Sequence, residues 1–221
     1  MFRNASFPAV LIGATLISSP VLFGQSRKGA VELFGQGGSA FRLPVEDVFS
    51  EGLTIGLRAA GATNTNIRID SGSNTKWFFG GGTGYSVSPN VQIVGEYEHV
   101  RLAKARVTFL PRGSRTESSA TASAKLDEYN VGMHYLFASK SRVVPYLAAA
   151  VGLARLSGSG AIPGAPSFSA TESDLTTNVG GGIRLYGGSK WGFRPDFRVV
   201  RVPGQTYFRV AGVFFLQLGG R

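Results

Sequence analysis

The sequence has no cysteine and few charged residues, and each shortage excludes some classes of protein. Without Cys, the chain forms neither a disulfide framework nor a thiolate metal site. Charged residues make up 16% of the chain while Gly occurs 31 times, which disfavours a helical protein because Gly weakens helices. From residue 26 onward, no run approaches the roughly 20 apolar residues of a membrane helix.

The N-terminus has the layout of a secretory signal peptide. In "MFRNASFPAVLIGATLISSPVLFGQ", a cation at Arg3 precedes a short apolar stretch (9–17) and a segment of small residues and Pro. We therefore predict a signal peptide at 1–25, cleaved near Gly24 or Gln25, and one exported domain at 26–221. The alternative is a buried N-terminal helix.

The mature chain is rich in alternating patterns. Successive side chains of a strand point to opposite faces. In "TKWFFGGGTGYSV" (75–87), one face carries large side chains such as Trp77 and Phe79, whereas the other is mostly small or polar, with Gly at three of its six positions. Such alternation recurs in eight segments of about ten residues, the length expected of a membrane strand. The segments are 30–38, 75–87, 91–100, 126–137, 143–154, 176–187, 191–200 and 206–218.

The two faces of these segments differ in a way that favours a membrane barrel. One is apolar and aromatic, and the other mixes charges and amides with Gly and Ala, as if space there were limited. A narrow barrel interior limits space in this way, so the apolar face is expected to point outward to lipid. Short connections ("SPN", "ASKSR", "GSK") alternate with long ones (39–74, 101–125, 155–175), although "RVPGQ" is short for an outer loop.

The fold predicted from these patterns is all-β: a single up-and-down antiparallel transmembrane β-barrel of eight strands. Ten strands would result if "LTIGLRA" and "NTNIRID", within 39–74, entered the wall. The signal peptide, the eight segments and the final stretch "YFRVAGVFFLQL" resemble small OmpA-like barrels of the Gram-negative outer membrane. The resemblance implies a bacterial outer-membrane location and a role as membrane anchor, adhesin, narrow channel or lipid-modifying enzyme.

Three groups of residues are candidates for function. The inward face is expected to hold a charge network, with Arg209 of the last strand meeting Glu32 of the first: Glu32, Glu96, Glu98, Glu128, His134, Arg184, Arg194, Asp196, Arg198 and Arg209. Aromatics at the two ends of the apolar face predict membrane-interface belts: Trp77, Tyr97 and Phe208 toward the long loops, and Tyr85, Phe137, Trp191 and Phe193 toward the turns. Basic residues after the third segment are expected to contact lipopolysaccharide: Arg101, Lys104, Arg106, Arg112 and Arg115.

Charges in a narrow lumen must pair because an unpaired buried ion is very costly. We therefore expect a structural or surface-interaction role, with the lumen closed by Glu–Arg pairs. A narrow ion or small-solute channel and a ligand-binding lumen are alternatives, and so is a soluble periplasmic ligand-binding barrel. Catalytic motifs such as G-x-S-x-G, Walker-type loops and H-E-x-x-H are missing, so we predict no enzyme, no metal and no cofactor. An outward lipid-hydrolysing site at His99 is the remaining catalytic alternative.

The expected partners are outer-membrane lipid, lipopolysaccharide and the outer-membrane assembly machinery, and not nucleic acid. Barrels of this type usually end on an aromatic residue that the assembly machinery reads. This chain ends "LQLGGR", so either Phe215 serves as that signal from within or the last residues overhang. A monomer is expected.

Overall fold

The computed structural model describes residues 27–43, 62–68, 75–111, 118–137, 140–161 and 168–220. These residues form nine strands: β1 (Ala30–Phe41), β2 (Ala62–Arg68), β3 (Thr75–Ser88), β4 (Val91–Pro111), β5 (Ser118–Leu136), β6 (Val143–Ala161), β7 (Phe168–Tyr186), β8 (Trp191–Val202) and β9 (Gln205–Gly219). No helix in the described ranges is long and apolar enough to cross a membrane. The predicted signal peptide at 1–25 lies outside the described residues.

Eight of the nine strands form a closed ring. β1 pairs with both β3 and β9, and the pairing of β4 with β5 closes the circle, with every neighbouring pair antiparallel. The remaining strand, β2, pairs with β4 between Arg106 and Pro111. These residues lie at the end of the barrel far from the short turns, which is the outer end. The predicted eight-stranded up-and-down barrel is therefore confirmed. Residues 62–68, which include most of "NTNIRID", extend the wall beyond the ring instead of joining it, and "LTIGLRA" lies outside the described residues.

Side chains alternate between the two faces of the wall as the period of two requires. On β5, Tyr129, Val131 and Met133 are exposed, whereas Glu128 and His134 are completely buried. The inward glycines make room for these long side chains. A Cβ at Gly180 would lie 2.0 Å from the backbone oxygen of Phe197, so the wall at that point has no space for a side chain.

Two of the predicted long loops are largely strand, which corrects the predicted connections. β4 ends only at Pro111, and β5 already begins at Ser118. Likewise, β6 ends at Ala161 and β7 begins at Phe168. The backbone ladder persists there, as between Lys104 and Ser123. In stretches such as "SATASAK" (119–125), Ser, Thr and Lys occupy the odd positions and Ala occupies the even ones. The period of two persists there, but the outward positions become polar, so the apolar outward face ends before the strands do.

Candidate functional site

The ring encloses a layer of charged side chains. The structure buries every member of the charge network predicted from sequence, which comes from six strands: Glu32, Glu96, Glu98, Glu128, His134, Arg184, Arg194, Asp196, Arg198 and Arg209. Buried ions require partners, and the contacts divide the layer into three clusters along the barrel.

The first cluster lies nearest the short turns and centres on one carboxylate. Arg184 Nη1 lies 2.9 Å from Glu32 Oε2, and Arg194 Nη1 lies 2.8 Å from Glu32 Oε1. Arg184 also donates to Gln92 Oε1, and Gln217 Nε2 donates to Glu32 Oε2 at 3.4 Å. Glu32 is therefore shared by two guanidinium groups, both completely buried.

The second cluster is organised by Arg198. Its Nε donates to Asp196 Oδ1 at 2.8 Å, and its Nη2 donates to Glu96 Oε1 at 3.3 Å. The same Nη2 lies 3.1 Å from His134 Nε2, which itself lies 3.8 Å from Glu96 Oε1. Arg194 reaches this cluster through a 4.0 Å contact with Glu96, so the first two clusters are continuous.

The third cluster has more carboxylates than cations. Arg209 pairs with Glu98, and its Nη1 lies 3.2 Å from Glu128 Oε2. Glu98 and Glu128 occupy directly opposed positions on β4 and β5, so one guanidinium serves two facing carboxylates. Gln36 Nε2 donates to Glu98 Oε1 at 2.8 Å and satisfies part of the remaining acceptor capacity.

The predicted contact between Arg209 and Glu32 is wrong. β1 and β9 are neighbours as predicted, but their register places Glu32 opposite Gln217 and Arg209 opposite Ala40. Eight positions of a strand correspond to about 27 Å, too far for the two side chains to meet. The closing strands were predictable from sequence, whereas the register that selects partners across the lumen was not.

Sequence reasoning missed several uncharged members of the network. Tyr146 donates its hydroxyl to Asp196, and Asn178 Oδ1 accepts from Arg198 Nη1 at 2.8 Å. The missed residues are Gln36, Gln92, Asn130, Tyr146, Asn178, Tyr186 and Gln217. Each occupies an inward position of its strand, and this parity is the signal that could have found them.

Apolar side chains bound the polar layer on both sides. Toward the short turns the interior is filled by Leu136, Val144, Tyr186 and Phe215, and toward the outer strand ends by Val100, Leu102, Leu126, Val200 and Tyr207. Rings pack tightly in the first set, where Tyr186 and Phe215 meet edge to face at 5.3 Å between centroids. The charges are thus enclosed between two apolar layers of the barrel's own side chains.

The outward face is apolar and exposed, with aromatics toward both ends. Trp77, at 76% exposure, and Phe208 lie toward the outer ends of β3 and β9, whereas Tyr97 is the seventh of the 21 residues of β4 and lies nearer the short-turn end of that strand. Phe208 is half-buried because it stacks on Phe197 at 6.2 Å. The predicted aromatics nearer the short turns are all exposed: Tyr85, Phe137, Trp191 and Phe193. Between these levels Val, Leu, Ile and Met cover the wall.

His99 lies on the outward face against a carboxylate. Its Nδ1 is 2.6 Å from Asp127 Oδ1, which also accepts from the Tyr97 hydroxyl at 2.9 Å. Phe79 packs on the His99 ring at 5.1 Å between centroids. The outward cross-strand and same-strand neighbours of His99 are Phe79, Asp127, Tyr97 and Arg101, a set that includes an Asp but no Ser.

The basic residues predicted to contact lipopolysaccharide are only partly described. Arg101 is exposed on β4. Lys104 and Arg106 lie on the outer half of the same strand, in register with Ser123 and Thr121 of β5. Arg112 and Arg115 lie outside the described residues.

No family model and no curated protein matches the chain. Solved structures do match it. The neisserial surface protein A is 13% identical, with 86% of this chain and 100% of that chain covered and a TM-score of 0.53. Ail, the attachment invasion locus protein of Yersinia pestis, in complex with the heparin analogue sucrose octasulfate, is 10% identical, with 86% and 99% covered and a TM-score of 0.50.

The N-terminal β-barrel domain of OprF from Pseudomonas aeruginosa also matches, at 12% identity over 87% of this chain and 99% of that chain, with a TM-score of 0.45. Identities this low establish the fold and nothing finer. A closed barrel with an exposed apolar wall is the form in which strands cross a bilayer, because closure satisfies every backbone group. The chain therefore has the fold of the small bacterial outer-membrane β-barrels.

Proposed function

We propose that this protein is a plugged barrel of the bacterial outer membrane, with a structural or surface-interaction role and no transport through its lumen. The observation that carries the proposal is the buried charge layer between two apolar layers. A conducting pore needs a continuous hydrated path, and an apolar constriction closes such a path by excluding water. Here the polar part of the lumen is flanked at both ends by packed aliphatic and aromatic groups.

The pairing within the layer supports the same proposal. Each of the four arginines that the described lumen buries has at least one carboxylate within 4.0 Å. Opening a path through these pairs would separate ions in a poorly hydrated interior, at a cost of several kcal/mol for each ion. A closed lumen is the low-energy arrangement of these side chains.

A narrow channel is the second candidate, because some buried polar atoms in the described lumen lack a hydrogen-bond partner. Gln92 Nε2, Asn130 Oδ1 and Arg194 Nε are examples. Buried water often satisfies such groups, and a connected file of water would conduct. The channel differs from the plugged barrel only in that its two apolar layers would open and let water pass.

Conductance of the refolded protein in a planar bilayer tests the proposal. We expect no discrete currents from protein whose insertion is verified independently. Steady currents that change in Arg198→Gln or Glu128→Gln, but not in the outward control Leu153→Ala, would establish a pore and overturn the plugged barrel.

A soluble periplasmic barrel is the candidate from another class. The exposed apolar wall opposes it, since water-facing apolar surface of this extent promotes aggregation. Osmotic shock should leave the protein with the membranes, and detergent should release it. Release by osmotic shock alone would refute the membrane location.

The proposed surface role involves outer-leaflet lipid and lipopolysaccharide. Arg101, Lys104 and Arg106 lie on the part of β4 that extends past the apolar wall, and each cation near an anionic surface contributes about 1 kcal/mol. Ail, a barrel of similar fold, binds a sulfated polyanion. The proposal includes a monomer assembled by the outer-membrane machinery, with no enzymatic activity, cofactor or nucleic-acid partner.

A further inference from the structure

The plugged lumen does not explain a polar row on the outward face of the barrel. Register aligns His99 of β4, Asp127 of β5 and Arg155 of β6 across three neighbouring strands. Outward positions two residues nearer the short turns hold Tyr97, Tyr129 and Leu153, and outward positions two residues farther from them hold Arg101, Lys125 and Ser157. The row therefore marks where the apolar wall ends and a basic surface begins.

Asp127 is the organising group of this row. It accepts hydrogen bonds from Tyr97 and shares a 2.6 Å contact with His99, and Lys125 Nζ lies 3.6 Å from its second oxygen. Only 10% of its side chain is exposed. A carboxylate at the edge of a lipid-facing wall is costly unless it has partners. Asp127 has three, and its contacts fix the positions of Tyr97, His99 and Lys125 relative to one another.

The surroundings of Asp127 are strongly basic. Arg101, Lys125 and Arg155 are exposed, and their outward positions adjoin the row directly or diagonally, within about 5–8 Å at Cβ. The outward neighbours on β3 are Trp77 and Phe79, and those on β7 are Thr171 and Ser173, so no other charge in the described part of these strands faces the cluster. Three cations therefore surround one carboxylate.

We propose that the outward cluster of His99, Arg101, Lys125, Asp127 and Arg155 binds the phosphate of an outer-leaflet lipid headgroup. Guanidinium and ammonium groups would contact the phosphate oxygens, while Tyr97, Tyr129 and Phe79 would pack against the lipid's apolar part. Asp127 holds His99 by Nδ1, which leaves Nε2 as the ring nitrogen for the ligand. This proposal rests on the membrane location proposed above. It places the contact with lipid on the part of the wall that β4, β5 and β6 form.

Energy transfer from a single labelled cysteine to labelled lipid tests this site. The natural chain has no Cys, so Ser157→Cys carries a unique donor beside the cluster. Thr206→Cys is the control position, because it lies on β9, three strands away from β6 around the ring, with Arg201 as its partner on β8. The protein is placed in phosphatidylcholine nanodiscs containing a trace of acceptor-labelled phosphatidic acid or, separately, acceptor-labelled phosphatidylcholine.

We expect phosphatidic acid, but not phosphatidylcholine, to be enriched at the Ser157 label relative to the Thr206 label. Arg101→Gln/Lys125→Gln/Arg155→Gln should abolish that enrichment, with each lost charge lowering local binding about fivefold. The matched control, Lys140→Gln/Arg142→Gln/Lys190→Gln, removes the same charge at the short-turn end and should leave enrichment unchanged.

Three results would overturn the inference: equal signals at the two labels, enrichment that survives in the cluster variant, or displacement by millimolar inorganic phosphate or a sulfated polysaccharide. The last result would identify a soluble anion as the ligand. Failure of the protein to insert into nanodiscs at all would instead refute the membrane location, so the two failures are distinguishable.

Discussion

The barrel carries Arg and carboxylate groups both inside its ring and on its outer wall, and the two environments organise them differently. Inside, Arg184 and Arg194 are completely buried and share Glu32. Outside, Arg101 and Arg155 are exposed and face a single carboxylate, Asp127. Interior charge is nearly balanced over the whole layer, where four arginines meet five carboxylates in the described lumen, whereas the outer cluster keeps an excess of positive charge.

This difference shows how environment assigns a role to the same side chain. An interior cation without a partner costs several kcal/mol, so the lumen tolerates little excess. An exposed cation is hydrated and contributes almost nothing to stability, so it is available for a ligand. We therefore expect interior charges to determine folding and exterior charges to determine binding.

The largest expected effect comes from removing the carboxylate shared by two arginines. Glu32→Leu leaves Arg184 and Arg194 buried without it, and should lower the free energy of unfolding by about 3–5 kcal/mol. Urea unfolding of the refolded protein in detergent micelles measures the change. Glu172→Leu, at an exposed position on β7, is the control and should shift stability by less than about 0.5 kcal/mol. Equal effects would remove the distinction between interior and exterior charge.

The next effect tests the wall itself. Val179, 58% exposed, lies at the centre of the apolar outward face of β7. Val179→Lys should lower stability in vesicles by about 2–4 kcal/mol, because it places a charge in lipid. Thr171→Lys, at an exposed outer position on the same strand, should cost less than about 1 kcal/mol. If both variants were equally stable in vesicles, the exposed face would not lie in lipid.

The barrel could be predicted from the sequence because strands and their two faces depend on residues that are close together along the chain. Alternation with a period of two identified all eight ring strands and the face on which each residue lies, since both depend only on neighbours along the chain. Burial of Glu128 and exposure of Tyr129 follow from that parity. The outer ends of β4 to β7 were missed because their outward positions are polar, so they lack the apolar face by which the other strands were identified.

The partners within the site could not be predicted in the same way. Which guanidinium meets which carboxylate depends on register around the ring, and Arg209 lies opposite Ala40 instead of near Glu32. The contact between His99 and Asp127 likewise depends on how β4 and β5 align. Sequence parity placed His99 outward but did not indicate that Asp127 would organise it.

A smaller effect is expected from adding a methyl group, and it depends on whether the glycine faces the lumen or the outside of the barrel. Gly180 faces the lumen, where a Cβ would lie 2.0 Å from the Phe197 oxygen, whereas a Cβ at the outward Gly95 meets nothing within 4 Å. Gly180→Ala should destabilise the barrel by about 1–3 kcal/mol through overpacking. Gly95→Ala should change stability by less than about 1 kcal/mol, and unfolding midpoints of the two variants give the comparison. Equal midpoints would show that the lumen has room for side chains.

The smallest expected effect is the sharpest test of whether the balance between interior carboxylates and arginines determines stability. Glu128 is as buried as Glu32, but it shares Arg209 with the opposed Glu98. Glu128→Gln keeps the side-chain shape, leaves Arg209 paired with Glu98 and removes repulsion between two facing carboxylates, so stability should change by less than about 1 kcal/mol. The matched variant Glu32→Gln should cost several times more, because no second carboxylate replaces Glu32 beside Arg184. Equal losses in urea unfolding would mean that burial alone, and not the local balance of charge, sets the contribution of each interior carboxylate.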